Sequence, residues 1–90
     1  MALKSTNPIH IQKAGLLKRL REEAGFTQQE LANRLQVSRE TVSAIENCHR
    51  AAMSALSDDL REQWWKVCSS SASIDTKVSF VNLITRIFKL

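Results

Sequence analysis

Apolar positions in this chain recur at helical spacing, and sustained strand-like alternation is not found. Ile9, Leu16, Leu17, Leu20 and Ala24 form a first stripe. Asn7 and Pro8 stand ahead of it as an N-cap and a first-turn proline, whose missing amide costs nothing there. Gly25 follows the last periodic residue and is placed to end the helix. Lys13 lies near the stripe and must carry its ammonium outward. Thr27 and Glu30 have the spacing of a capping box, and Leu31, Ala32 and Leu35 follow on one side of a second helix. Gln36-Val37 interrupts the pattern and Ser38 offers a new N-cap. In the next run Val42 and Ile45 point inward. Glu40, Ser43, Ala44 and Asn47 point the other way, with Arg39 beside them in the first turn.

Further along, Met53, Leu56, Leu60, Trp64 and Val67 predict a single helix from about Ala51 to Cys68. Trp65 falls off that stripe by about 100°. It is assigned to a subunit interface, the alternative being an indole lying flat over the surface. Ser69 to Ser73 reads as a flexible link. Ser73 or Asp75 then caps a last helix, with Phe80, Val81, Ile84, Ile87 and Phe88 on one face. Ser79, Asn82, Thr85, Arg86 and Lys89 take the other. So wide an apolar face needs covering: by the monomer core, by a second subunit, or by a membrane surface, although its polar side has few cations for the last. Met1 to Thr6 is polar and reads as a frayed end, and Lys4 within it is a weaker candidate for touching nucleic acid. The fold class expected is all-α, a compact bundle of about five helices. Two of them are short and joined by a tight turn. Residues 1–68 form the main domain, and 69–90 a linker and amphipathic helix for core completion or dimerisation.

Composition narrows this picture. Ninety residues, 43% of them apolar, suffice for one modest core. Basic residues number 13 against 9 acidic, and the excess lies mainly before Ala51. A mild positive bias suits a polyanion without demanding one. Cys48 and Cys68 lack CxxC spacing and only two His are present, so no zinc site or other cofactor is expected. The two thiols read as reduced, the sharper alternative being a redox-sensing pair. His10 and His49 have no acid or nucleophile at catalytic spacing and no Gly-rich phosphate loop exists, so an enzyme is not expected. Without an N-terminal signal or an apolar run of about 20 residues, the expected location is the cytoplasm.

The stretch LKRLREEAGFTQQELANRLQVSRETVSAIEN, Leu17 to Asn47, resembles the helix-turn-helix of the phage repressor and Cro-like (Xre-type) DNA-binding family. The resemblance rests on the AGFTQQELA run, the VSRETVSAIEN run and the spacing between them. Gln36 and Cys48 stand where that family usually has Gly, so each is expected in a left-handed conformation costing roughly 1 kcal/mol. The resemblance also implies a partly buried ion pair between Arg21 and Glu46; the alternative is two solvated charges worth about 0–1 kcal/mol. It places Thr27, Gln28, Ser38 and Asn47 on the phosphate backbone, with Arg50 and Lys13 as weaker candidates.

These readings converge on a transcriptional regulator that lays residues 38–46 in the major groove of double-stranded DNA. Arg39 offers a fork of donors to guanine, Glu40 an acceptor for cytosine, Ser43 a hydroxyl for either kind of edge, and Ala44 a surface for a thymine methyl. One such domain covers too little sequence for a genomic site, so a homodimeric repressor reading an inverted repeat is expected. Its candidate interface is Trp65, Phe80, Val81, Ile84, Ile87 and Phe88. The second reading is the antitoxin of a toxin–antitoxin pair, which binds a toxin protein through its C-terminal part and represses its own operon.

Overall fold

The computed structural model describes the backbone of residues 3–88 and the side chains of residues 3–85. In chain order it contains α1 (Pro8–Ala24), α2 (Gln28–Leu35), α3 (Arg39–Glu46), α4 (Arg50–Ala55), α5 (Asp58–Cys68), a 3-10 turn at Ser69–Ser71, and α6 (Ile74–Phe88). The all-α expectation holds. No helix among the described residues is long and apolar enough to cross a membrane.

Helix α1 is the shared partner, packing against α3, α5, the 3-10 turn and α6. Its ends form as the sequence dictates. The Asn7 side chain accepts from the Ile9 amide at its start. Gly25, at φ 78°, ends it by donating to the Glu22 carbonyl, and Phe26 donates to that of Arg21. Leu17 and Leu20 meet Leu31, Val42, Ile45 and Trp64 in the core. Trp64 is fully buried, and its indole N–H donates to the Leu17 carbonyl at 2.9 Å, so the ring carries no stranded donor inside. Burial also pushes the Cys68 thiol up to about 11, which leaves it protonated at neutral pH.

Three expectations are corrected. The predicted helix from Ala51 to Cys68 is two helices. Leu56 is extended, and the Ser57 hydroxyl caps α5 by accepting from the Leu60 amide, with Asp58 and Asp59 in the first turn. The serine run expected as a flexible link is the ordered 3-10 turn, packed on α1. The N-terminal residues expected to fray are tied down from Leu3 onward: the Ser5 amide donates to the Cys48 carbonyl at 2.8 Å and the Arg50 amide to the Leu3 carbonyl at 2.7 Å.

The face that α6 buries also differs from the one its apolar residues suggested. Thr76, Phe80 and Leu83 point inward and Ile84 is half-buried, while Val81 is 55% exposed. Thr76 was invisible to an apolar count, yet it can be buried because its hydroxyl donates to Glu23 Oε2 at 2.9 Å. Trp65 is not a free indole. It stacks on Phe80 with centroids 4.5 Å apart. Ile87 and Phe88 lie outside the residues whose side chains are described. The turned-out edge of α6 carries Ile74 at 79% and Val78 at 52% exposure, in line with Val81.

Glu23 fixes where α6 starts. Its Oε1 accepts from the Ser73 amide at 2.8 Å, and its Oε2 from the hydroxyls of Thr76 and, at 3.3 Å, Ser73. The Ser73 amide above all, then these hydroxyls, hold the Glu23 carboxyl below its usual range against a desolvation effect that raises it. A folded-state pKa below the unfolded one means the unfolded chain binds more protons. The stabilisation is therefore complete above the ordinary carboxylate range and is lost as pH falls through the depressed value. Glu23→Gln is expected to lower the melting temperature at neutral pH, and the gap to wild type should narrow as pH falls below the ordinary carboxylate range. Thermal melts across pH check this; a gap independent of pH contradicts it.

Candidate nucleic-acid interface

The segment between α1 and α4 is assembled by local hydrogen bonds that its sequence spells out. The Thr27 hydroxyl accepts from the Glu30 amide at 3.0 Å, and Glu30 Oε1 accepts from the Thr27 amide at 2.8 Å, completing the capping box of α2. That backbone hydrogen bond, with Thr27's own hydroxyl, lowers the Glu30 pKa. At the other end Gln36 adopts φ 59°, and the Val37 amide reaches back to the Ala32 carbonyl at 3.0 Å. The chain thus reverses within Gln36 and Val37. Ser38 then caps α3, accepting from the Thr41 amide at 3.1 Å.

Arg21 and Glu46 hold this unit to α1. Arg21 Nε donates to Glu46 Oε2 at 2.6 Å and its NH2 to Oε1 at 3.0 Å, a two-pronged pair. The third arm, NH1, donates to the Phe26 carbonyl at 2.8 Å, and Gln28 Nε2 donates to Glu46 Oε1 at 3.1 Å. The side chains are 13% and 2% exposed. The pair expected from resemblance therefore exists and is buried at its acidic end. Chiefly through the hydrogen bond to Glu46, the Arg21 pKa is raised.

With Val42 and Ile45 in the core and Glu46 pinned, the opposite side of α3 is set by helical geometry. Glu40 and Asn47 are exposed and Ser43 and Ala44 half-buried on that side, with Arg39 exposed beside them in the first turn. Asn47 Nδ2 donates to Ser43 Oγ at 3.2 Å, so these two polar groups face outward as a pair. Glu40 and Ala44 also border an apolar groove of about 330 Å³ floored by Ala52, Ala55, Leu56 and Leu60. Of the backbone-contact candidates, Thr27, Ser38, Asn47 and Arg50 are exposed. Gln28 is half-buried and already gives an amide hydrogen to Glu46. Lys13, half-buried within α1, belongs to none of these local hydrogen-bonded groups. The α6 residues form a separate surface: Trp65, Phe80, Val81 and Ile84 border a groove of about 420 Å³ with Glu62 and Lys66.

One feature at this face has no periodic signature. Cys48 adopts φ 57°, which turns the chain so that residues 48–50 run antiparallel to residues 3–5. Lys4 and His49 are directly opposite each other, and the two bonds from Ser5 to Cys48 and from Arg50 to Leu3 flank them. Ser5 is buried, and its hydroxyl shares a 2.6 Å hydrogen bond with His10 Nδ1. Only the left-handed residue after Asn47 hinted at such a reversal, and no sequence pattern pointed to its partner strand.

Residues 17–52 match the family model described as helix-turn-helix. No curated protein and no solved structure gives a significant match to the chain.

Arg21→Ala would strand the Glu46 carboxylate in a site that is 2% exposed. The expected loss is roughly 3–5 kcal/mol, against little for the exposed Lys18→Ala on the same helix. Denaturant melts of both variants decide it, and equal losses would sink the assignment of Arg21 as the anchor of α3.

Proposed function

We propose that this chain, whose residues 17–52 match the helix-turn-helix family model, is a sequence-specific DNA-binding repressor that acts as a homodimer on an inverted repeat. The observation that carries this reading is the outer face of α3. Glu40, Ser43, Ala44 and Asn47 share one side of a helix whose other side is fixed by Val42, Ile45 and Glu46, and Arg39 stands exposed beside them in the first turn.

In this reading α3 enters the major groove with its N-terminal end toward the bases. Arg39 donates a fork to guanine O6 and N7, Glu40 accepts from a cytosine amino group, Ser43 bonds to either kind of edge, and Ala44 packs on a thymine methyl. The start of α2 meets the phosphate backbone. Its first amides and the helix dipole favour an anion there, with Thr27 exposed at the cap. Ser38, Asn47 and Arg50 hold the backbone on either side of the reading helix. Gln28 contributes through its second amide hydrogen, since the first is given to Glu46. These positions fix register, and the bases confer preference. The setting is the cytoplasm.

Arg39→Ala is expected to lose about 1–3 kcal/mol on the duplex that wild type prefers and to relax one base position. Thr27→Val should weaken all duplexes alike. Titrations of both variants against the preferred duplex and its single-base variants distinguish the roles. Full base preference in the Arg39→Ala protein would remove Arg39 from the reader set.

The dimer uses the turned-out edge of α6. Ile74, Val78 and Val81 are three large apolar residues exposed in one line, continuous with the groove beside Trp65. Val78→Glu is expected to yield a monomer with unchanged helical content, measured by sedimentation and circular dichroism. A wild-type protein that is monomeric at every concentration contradicts the dimer. It turns attention to a protein partner of another kind on this face, as the antitoxin reading requires.

A further inference from the structure

The pairing of residues 3–5 with 48–50 gives one cation outside the helix-turn-helix a fixed position. The bonds from the Ser5 amide to the Cys48 carbonyl and from the Arg50 amide to the Leu3 carbonyl flank the Lys4–His49 pair. That makes it the narrow type of antiparallel pair, whose side chains stand close together on the same side of the ladder. Ser5, one residue on, faces inward, with its hydroxyl on His10 and the Asn7 amide. Lys4 is therefore turned outward, and it is exposed. Its neighbours across the ladder, His49 and Arg50, lie just past Cys48, which follows Asn47 at the end of the outer face of α3.

Helix α3 has eight residues and so a length of about 12 Å, close to the width of the major groove. A helix of that length in the groove has a phosphate ridge on each side, and the chain that leaves its C-terminal end must cross one of them. The first amides of α2 serve the other ridge.

We propose that Lys4, held against His49 beside Arg50, forms a second phosphate clamp that grips the DNA backbone where the chain leaves the recognition helix. The inference rests on the DNA-binding reading above and assigns a role to a residue outside the segment that matches the family. The ligand is a backbone phosphodiester of duplex DNA, and the contact is independent of base sequence. Two features make it a built contact and not simply a charged tail. The left-handed turn at Cys48 creates the strand that receives residues 3–5, and burial of Ser5 prevents the strap from sliding along it.

The test uses the full chain and a mixed-sequence duplex of about 30 base pairs, which holds two half-sites a helical turn apart. Binding is titrated by fluorescence anisotropy across salt concentration. Each phosphate contact contributes about 0.9 to the slope of log affinity against log salt, so Lys4→Gln, which removes one contact from each subunit of the dimer, is expected to reduce that slope by about 1.8 and Lys4→Arg to keep it. Ser5→Pro removes the amide that zips the strap while leaving every charge in place. It should weaken binding at moderate salt with no change in net charge, with a thermal melt confirming that the helices remain folded. A wild-type slope in Lys4→Gln overturns the clamp while leaving the DNA-binding reading intact. Full affinity in folded Ser5→Pro overturns the fixed strap. If wild type binds no duplex even at low salt, the clamp and the reading beneath it both fall.

Discussion

The ion pair between Arg21 and Glu46 is the constraint on which the presentation of α3 depends. A helix of eight residues is too short to persist by itself, since isolated helices below about 12–15 residues are marginal in water. It must be held by what it packs on. Val42 and Ile45 supply attraction to the core but little rotational precision. Glu46 supplies that precision, because its carboxylate receives Nε and NH2 of Arg21 and the Gln28 amide. The Phe26 carbonyl takes the remaining arm of the guanidinium, so one cation joins α1, the loop before α2, and the end of α3. Desolvating both charges is expensive, and an apolar pair of equal volume can be as stable. What an apolar pair lacks is the directional geometry that fixes one rotation of α3.

Two left-handed residues bracket the same helix. Gln36 and Cys48, at φ 59° and 57°, each carry a strain of roughly 1 kcal/mol relative to glycine. The first closes the turn from α2 into α3, and the second sends the chain from α3 into the pairing with residues 3–5. Strain placed there is stabilised by the bonds it makes available: the Val37 amide reaches Ala32, and the Cys48 carbonyl receives the Ser5 amide. Helix α3 is consequently anchored at its start by a capped turn, along its inner side by the core, and beyond its end by the pairing with residues 3–5.

The helix-turn-helix was legible because local chemistry determined it. Asn7, Gly25, the Thr27–Glu30 box and Ser38 each set a helix end through hydrogen bonds within a few residues, and each stands where the pattern placed it. The left-handed conformation of Gln36 and Cys48 and the Arg21–Glu46 pair were legible through family resemblance. What escaped was set by distant partners. Thr76 looks like a surface residue until Glu23 of α1 accepts its hydroxyl, and that contact rotates α6 so that Phe80 goes inside and Val81 out. Residues 3–5 look frayed because their partners lie more than forty positions away. The break at Leu56–Ser57 is a different kind of miss: Ser57-Asp58-Asp59 is a good helix start, hidden by an apolar stripe that happens to continue in phase across it.

The measurement closest to the central claim is a binding selection with wild-type protein from a random duplex library, repeated at increasing salt. The expected result is enrichment of an inverted repeat whose half-sites survive higher salt, as the proposed function requires if base contacts and not phosphates alone set the preference. Binding that fades steeply with salt and enriches no sequence would contradict it, leaving α3 as a helix that touches the backbone without reading the groove.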